Sequence, residues 1–244
     1  MNEITQGDCI EIMKEIPAGS IDCMVTDPPY GIAYKRKGSF VRNKDGDWGP
    51  ASGQMEDIAN DATYDPEWQL AWLKAAYRIL KDGAHIYVFC SEHHVGEFRD
   101  TITEAGFNLK RMLIWEKGTD KKIGTPGMGD LIGGYGPITE LILFAHKPAP
   151  KGEERELLRK GQVNVIKVPG IRKMEFHPTE KPTGVLRELI LNSTKEGESV
   201  LDPFAGSGST GVAAREEHRE PVLIELNPKY ISVIEGRLAQ GGLF

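Results

Sequence analysis

The sequence predicts an α/β fold on a mainly parallel sheet. Short apolar runs of strand length alternate with longer stretches of helical periodicity along all 244 residues. One run, Ile21 to Thr26, is stopped abruptly by Asp27-Pro28-Pro29, the mark of a buried strand that ends in a forced turn. A second unit, VLDPFAGSGSTGVAA, reads as strand, glycine turn and helix in succession. The length suits one domain, 1–244, and no internal repeat or low-complexity tract interrupts it.

The elements follow in order. Asp8 suits the N-cap of a helix over Ile10 to Ile16. Pro66 to Leu80 has a proline near its start and Leu70, Leu73, Tyr77 and Leu80 at helical spacing, with Asp82-Gly83 as the stop. Ala84 to Cys90 is the next strand, and Val95 to Ala105 a helix closed by Gly106. Leu109 to Trp115 and Ile138 to Ala145 read as two strands around a loop, Gly118 to Gly136, that holds seven glycines. From His146 to Phe176 there is little periodicity. Thr179 can then cap a helix with Pro182 in its first turn and Val185, Leu186, Leu189 and Ile190 on its apolar face. Ser199 to Asp202 is a strand, Gly208 to Glu217 a helix, Val222 to Glu225 a strand and Pro228 to Ala239 a last amphipathic helix.

Composition limits the function classes. No apolar run approaches the roughly 20 residues of a membrane span, and MNEITQGD has neither the basic nor the apolar region of a signal peptide. A cytoplasmic protein of a bacterial cell or phage-infected host is expected. Cys9, Cys23 and Cys90 are odd in number and lack Cys-x-x-Cys spacing, so buried free thiols are expected rather than a disulfide or zinc framework. His93-His94 has no partner at metal spacing, so no metal is expected. The net charge of −6 argues at first against a polyanionic partner. The distribution reverses that: windows 31–44, 108–123 and 146–173 hold 18 of the 30 Lys and Arg but only 5 of the 36 Asp and Glu. Basic loops on an acidic body suit phosphate contact, although solvated loops that happen to be basic would look the same.

The glycine turn carries the cofactor reading. Gly206 and Gly208 let backbone pass close to a ligand, and Glu225 ends the next strand about 20 residues later. An acid placed there accepts hydrogen bonds from ribose hydroxyls. Asp202 and Pro203 precede the turn, so the pattern is not that of a dinucleotide site.

At these residues the chain resembles the S-adenosylmethionine-dependent DNA amino-methyltransferases. Phe204, Ala205, Gly206, Ser207 and Gly208 match that family's Phe-x-Gly-x-Gly cofactor loop, and Glu225 its ribose-binding acid. His177-Pro178-Thr179-Glu180-Lys181-Pro182 matches the His-Pro-Thr-x-Lys-Pro segment, whose Lys181 the resemblance sets against the methionine end of the cofactor. The resemblance likewise puts Asp8 and Cys9, Asp27, Thr210 and Asn227 in the cofactor pocket, with Asp8 near the adenine moiety. It implies a Rossmann-like class I methyltransferase fold, a mainly parallel seven-stranded sheet with helices on both faces and a circularly permuted motif order. S-adenosyl-L-methionine is the cofactor that follows.

Asp27-Pro28-Pro29-Tyr30 matches the family's catalytic tetrapeptide, and chemistry accounts for its residue types. An aromatic amino nitrogen is a poor nucleophile because its lone pair is delocalised into the ring. Acceptors at its two N–H bonds, the Asp27 carboxylate and the Pro28 carbonyl, would favour a tetrahedral nitrogen and stabilise its developing positive charge. Pro28 and Pro29 stiffen the loop beforehand, and Tyr30 offers a face on which an extruded base stacks. In the family, Asp at the first position is typical of enzymes acting on adenine N6, and Ser of those acting on cytosine N4. The catalytic motif precedes the cofactor loop, the order of the permuted β-class.

The basic loops complete the expectation. Loop 31–62 interleaves Tyr34, Phe40 and Trp48 with Lys35, Arg36, Lys37 and Arg42, and loop 117–136 carries Lys121 and Lys122; both are expected to face double-stranded DNA. Segment 146–176 is the short stretch left for target recognition. The expected activity is site-specific methylation of adenine N6 in DNA after base flipping, in a solitary or a restriction–modification setting. Methylation of cytosine N4 or of adenine in RNA stays open, as does a nucleic-acid-binding protein that kept the fold and lost turnover. Monomer and homodimer are both open.

Overall fold

The computed structural model describes residues 3–31, 40–42, 48–50, 59–118, 138–153, 155–170 and 180–240, with backbone alone at 40–42, 48–50 and 240. The chain forms two compact units, Met1–Pro28 with Pro66–Phe244, and Pro29–Asp65. In the second, β3 (Phe40–Arg42) and β4 (Trp48–Pro50) pair as an antiparallel ribbon.

The first unit is an α/β sandwich. Its strands are β1 (Ile4–Gln6), β2 (Ile21–Thr26), β5 (Leu80–Cys90), β6 (Asn108–Glu116), β7 (Thr139–His146), β8 (Val165–Lys167), β9 (Ser199–Asp202) and β10 (Glu220–Glu225). Its helices are α1 (Cys9–Glu15), α2 (Pro66–Ile79), α3 (Val95–Glu104), α4 (Thr183–Ser193), α5 (Ser209–Glu216) and α6 (Pro228–Gln240). The strands lie in the order β1-β10-β9-β2-β5-β7-β6-β8. All neighbours run parallel except β7, which is antiparallel to both β5 and β6.

The sheet therefore has eight strands where seven were expected. The two that the periodicity did not reveal, β1 and β8, are three residues each, too short to show a repeat, and both sit at sheet edges. All six residues of β2 are buried, as a parallel strand covered on both faces must be. Its connection through α2 leads one way along the sheet to β5, whereas that of β9 through α5 leads the other way to β10. Right-handed crossovers in opposite directions place their helices on opposite faces. Accordingly α1, α2 and α3 pack in one series and α4, α5 and α6 in another.

Two boundaries differ from expectation. Asp82-Gly83 does not separate helix from strand: β5 begins at Leu80 and bulges, so that Ile21 pairs with Leu80 but Cys23 with His85. The helix expected from a Thr179 cap starts at Thr183, with Pro182 as an extended N-cap that makes no side-chain capping bond. A residue before proline avoids the helical region, and Glu180 and Lys181 are both held in ion pairs. Thr179 and His177 lie outside the described residues. Asp8 does cap α1, accepting from the N–H of Ile10 at 2.9 Å and of Glu11 at 3.2 Å. The three cysteines are buried free thiols.

Candidate functional site

Because β9 and β2 are neighbours whose crossovers diverge, their carboxyl ends flank the switch point of the sheet, where α/β folds open a crevice for ligands. Each strand delivers one sequence motif there. A buried hydrogen bond spans the gap, Thr26 Oγ1 donating to Asp202 Oδ1 at 2.7 Å. The Phe204 N–H donates to the same oxygen at 3.1 Å. Burial pushes the Asp202 carboxyl up to about 6, against the pull of hydrogen bonds from Thr210, Thr26 and Phe204.

The glycine turn 203–208 folds back from β9 onto β10. Gly206 and Gly208 take φ of 51° and 82°, and a Cβ on Gly208 would sit 2.9 Å from Ile234 Cγ1. Glu225, at the end of β10, accepts from the Gly206 N–H through Oε2 and from the Asn227 N–H through Oε1, both at 2.7 Å. Burial raises its carboxyl, while those N–H groups pull the other way. The Gly7 N–H donates to the Glu225 carbonyl at 3.0 Å, which draws Gly7-Asp8-Cys9 to the same edge. Burial, reinforced by Asp8, pushes the Cys9 thiol up to about 12, so it is protonated at neutral pH. Phe204 packs edge-on to Trp72 at 5.2 Å between ring centres and tilted to Trp68 at 5.6 Å. From α6, Arg237 donates to the Ser207 carbonyl at 2.8 Å and Oγ at 3.0 Å, and pairs with Glu180 at 3.0 Å. A glycine turn over a carboxylate at the strand edge fits a nucleoside with free hydroxyls, so these residues suit S-adenosylmethionine.

The other motif meets a chain of alternating charges. The buried ammonium of Lys181 pairs with Asp27 Oδ2 and lies 3.4 Å from Glu140 Oε2. Glu140 Oε1 in turn holds Lys117 Nζ at 2.6 Å. Lys181 also stands over the Phe89 ring at 5.2 Å, and Lys117 over Trp115 at 5.4 Å. Burial alone would lower the lysine, but Asp27 and then Glu140 outweigh it, so Lys181 is raised and stays charged. Burial acts to raise Glu140, yet Lys181 and Lys117 hold it below its ordinary value.

In the unit of residues 29–65, Asp61 Oδ1 accepts from the N–H groups of Tyr30 at 2.9 Å and Gly31 at 2.8 Å, which pins the chain after the tetrapeptide. The unit boundary falls inside the motif, with Asp27 and Pro28 in the first unit and Pro29 and Tyr30 in the second.

Asp8, Cys9, Asp27, Lys181, Asp202 to Gly208, Thr210, Glu225 and Asn227 thus gather at or beside one edge of one sheet. Lys181, placed by resemblance at the cofactor, has its ammonium on Asp27 and Glu140. Lys35, Arg36, Lys37, Lys121 and Lys122 lie outside the described residues, as does the side chain of Arg42. Sequence reasoning missed Thr26, Glu140 and Arg237. Glu140 alone left a signal, as an acid opening an otherwise apolar strand, but only the antiparallel direction of β7 brings that end to the site.

A doubly wound sheet with a glycine turn over a carboxylate at its switch point defines the class, a Rossmann-like architecture suited to a nucleoside ligand. The family model described as DNA methylase, of the N6/N4 type, matches residues 21–236, and the chain belongs to that family. It is 32% identical over 241 residues to YubD of Escherichia coli (strain K12), covering 98% of this chain and 91% of that protein. It is 29% identical over 256 residues to the DNA adenine methyltransferase YhdJ of the same organism, covering 94% and 80%. Among solved structures, the M1.HpyAVI–SAM complex superposes with a TM-score of 0.68 at 22% identity, covering 96% of this chain and 98% of that one.

Proposed function

We propose that this chain transfers a methyl group from S-adenosylmethionine to the N6 amino group of adenine in double-stranded DNA, acting on a base turned out of the helix. The observation that carries the reading is the Thr26–Asp202 hydrogen bond at 2.7 Å, which ties the end of the acceptor strand to the start of the cofactor loop. S-adenosylmethionine supplies an electrophilic methyl on a sulfonium. Glu225 holds ribose hydroxyls, and the backbone of Gly206 to Gly208 leaves room for the ligand's close approach. Asp27 accepts one amino N–H and the Pro28 carbonyl the other, which exposes the nitrogen lone pair and stabilises its developing charge. S-adenosylmethionine would yield its methyl to that nitrogen and leave as the neutral thioether, while the proton shed by the nitrogen would pass to solvent water. Tyr30 stacks the extruded base, and the basic loops 31–62 and 117–136 face the phosphates, with 146–176 reading the target. Asp at the head of the tetrapeptide favours adenine over cytosine. Acting on DNA, the protein works in the compartment that holds it, the bacterial cytoplasm.

The test is to incubate the protein with labelled S-adenosylmethionine and unmethylated DNA or RNA, then to identify the modified nucleoside by mass spectrometry. N6-methyladenine in duplex DNA is expected. Label on cytosine, on RNA alone, or nowhere would overturn the proposal.

A further inference from the structure

Glu140 has no place in the chemistry above, yet it sits one ion pair away from Asp27. It opens β7, whose antiparallel course brings its amino end to the edge where β2 and β5 finish. Lys117 follows the last residue of β6 beside it, its N–H donating to the Ile138 carbonyl at 2.9 Å. Four charges therefore alternate from the β6–β7 stem to the tetrapeptide: Lys117, Glu140, Lys181 and Asp27. Glu140 Oε2 is enclosed and makes no aligned hydrogen bond, so its hold on Lys181 is ionic attraction over 3.4 Å. Such an arrangement is costly in a half-buried setting unless each charge serves its neighbour.

We propose that Glu140 is a positioning residue for methyl transfer, acting on Asp27 through Lys181. The inference deepens the reading of the site as a methyl-transfer centre and rests on it. An ammonium paired with Asp27 alone would draw on the carboxylate's electron density and weaken it as an acceptor for the amino N–H. It would also be free to follow Asp27 out of position. Glu140 takes a share of the ammonium and anchors it from the far side, so that Lys181 holds Asp27 in place without neutralising it fully. Low local dielectric makes this sharing count for more than it would in water.

The test is a double-mutant cycle read by single-turnover methylation, with cofactor and DNA affinities measured separately. Glu140→Gln keeps the shape and removes the charge; its transfer rate should fall about tenfold, with both affinities within about twofold of the parent. Glu140→Asp should recover part of the rate, because the charge returns at a longer reach. In a Lys181→Met background, adding Glu140→Gln should change the rate by less than about twofold, since the route to Asp27 is already cut. That double variant removes one charge of each sign, so the net charge of the cluster is unchanged, with Lys117 and Asp27 left at its two ends. Losses that multiply across the cycle, a Glu140→Gln rate equal to the parent's, or a loss confined to affinity would each overturn the inference. Should Glu140→Gln fail to fold, the Glu140→Asp rate in the two backgrounds decides the same question. If the parent protein transfers no methyl group, the functional reading itself fails, and the two failures are thereby told apart.

Discussion

Asp27, the proposed acceptor for the amino group, is also paired with Lys181, and its neighbours dictate what its removal does. Asp27→Ala takes away an acceptor for the amino group and leaves Lys181 to Glu140. Transfer should fall by at least about a hundredfold, while S-adenosylmethionine affinity, which the proposed function assigns to Glu225 and the glycine turn, changes little. Quench-flow rates and calorimetric titration check both halves; sustained turnover would refute the assignment. Asp202 makes a different prediction. Its folded value of about 6 lies above the roughly 3.9 of an unfolded aspartate, so the fold prefers its protonated form. That preference stabilises the protein fully below about pH 4 and is lost as pH rises through about 6. Stability from urea titrations should therefore decline with rising pH more steeply in the parent than in Asp202→Asn, which has no such proton to lose. Matching pH slopes would remove the argument. Residues in contiguous motifs, such as Asp27, Asp202 and Glu225, were legible in the sequence because strand ends and turn chemistry mark them. Glu140 and Arg237 were not, since each acts across a contact with a distant segment.

At the scale of elements, the glycine turn proposed to hold the cofactor depends on a left-handed residue packed without room for a side chain. Gly208→Ala places a methyl group 2.9 Å from Ile234 at φ of 82°. The loop or α6 must then move, at a cost of about 1–3 kcal/mol, and cofactor affinity should fall with thermal stability. Gly197→Ala is the control: its φ is 77°, but nothing lies within 4 Å of the added Cβ. It should lose stability alone, and equal effects on cofactor affinity from both variants would sink the packing argument. Most elements could be read from hydrophobic period, because helices of eight or more residues and buried strands write a clear pattern. In the large sheet the strands that escaped, β1 and β8, are held by pairing with β10 and β6 rather than by any pattern of their own, and β3 and β4 escaped within a segment read as a loop. The late start of α4 is likewise a matter of distant contacts, since Glu180 and Lys181, just before the extended Pro182, pair with Arg237 and Asp27 from far along the chain.

For the whole molecule, charge distribution matters more than the net −6. If the three basic windows meet phosphates, DNA affinity should drop steeply with salt, about a thousandfold or more between 50 and 200 mM for six or more contacts. Filter binding across that range is the check, and a shallow slope would detach those windows from DNA. Among the described residues no helix is long and apolar enough to cross a membrane. What the sequence determined by itself was the fold class, the two motifs and their permuted order, because backbone stiffness, glycine turns and hydrophobic period are local properties. Only the tertiary structure decided that β2 and β9 lie side by side, with Thr26 bonded to Asp202 across the switch point. It alone also turned β7 so that Glu140 meets Lys181 beside Asp27. Strand order and direction arise from which apolar faces bury one another across the whole chain. The site, assembled from the ends of those strands, takes its geometry from that packing.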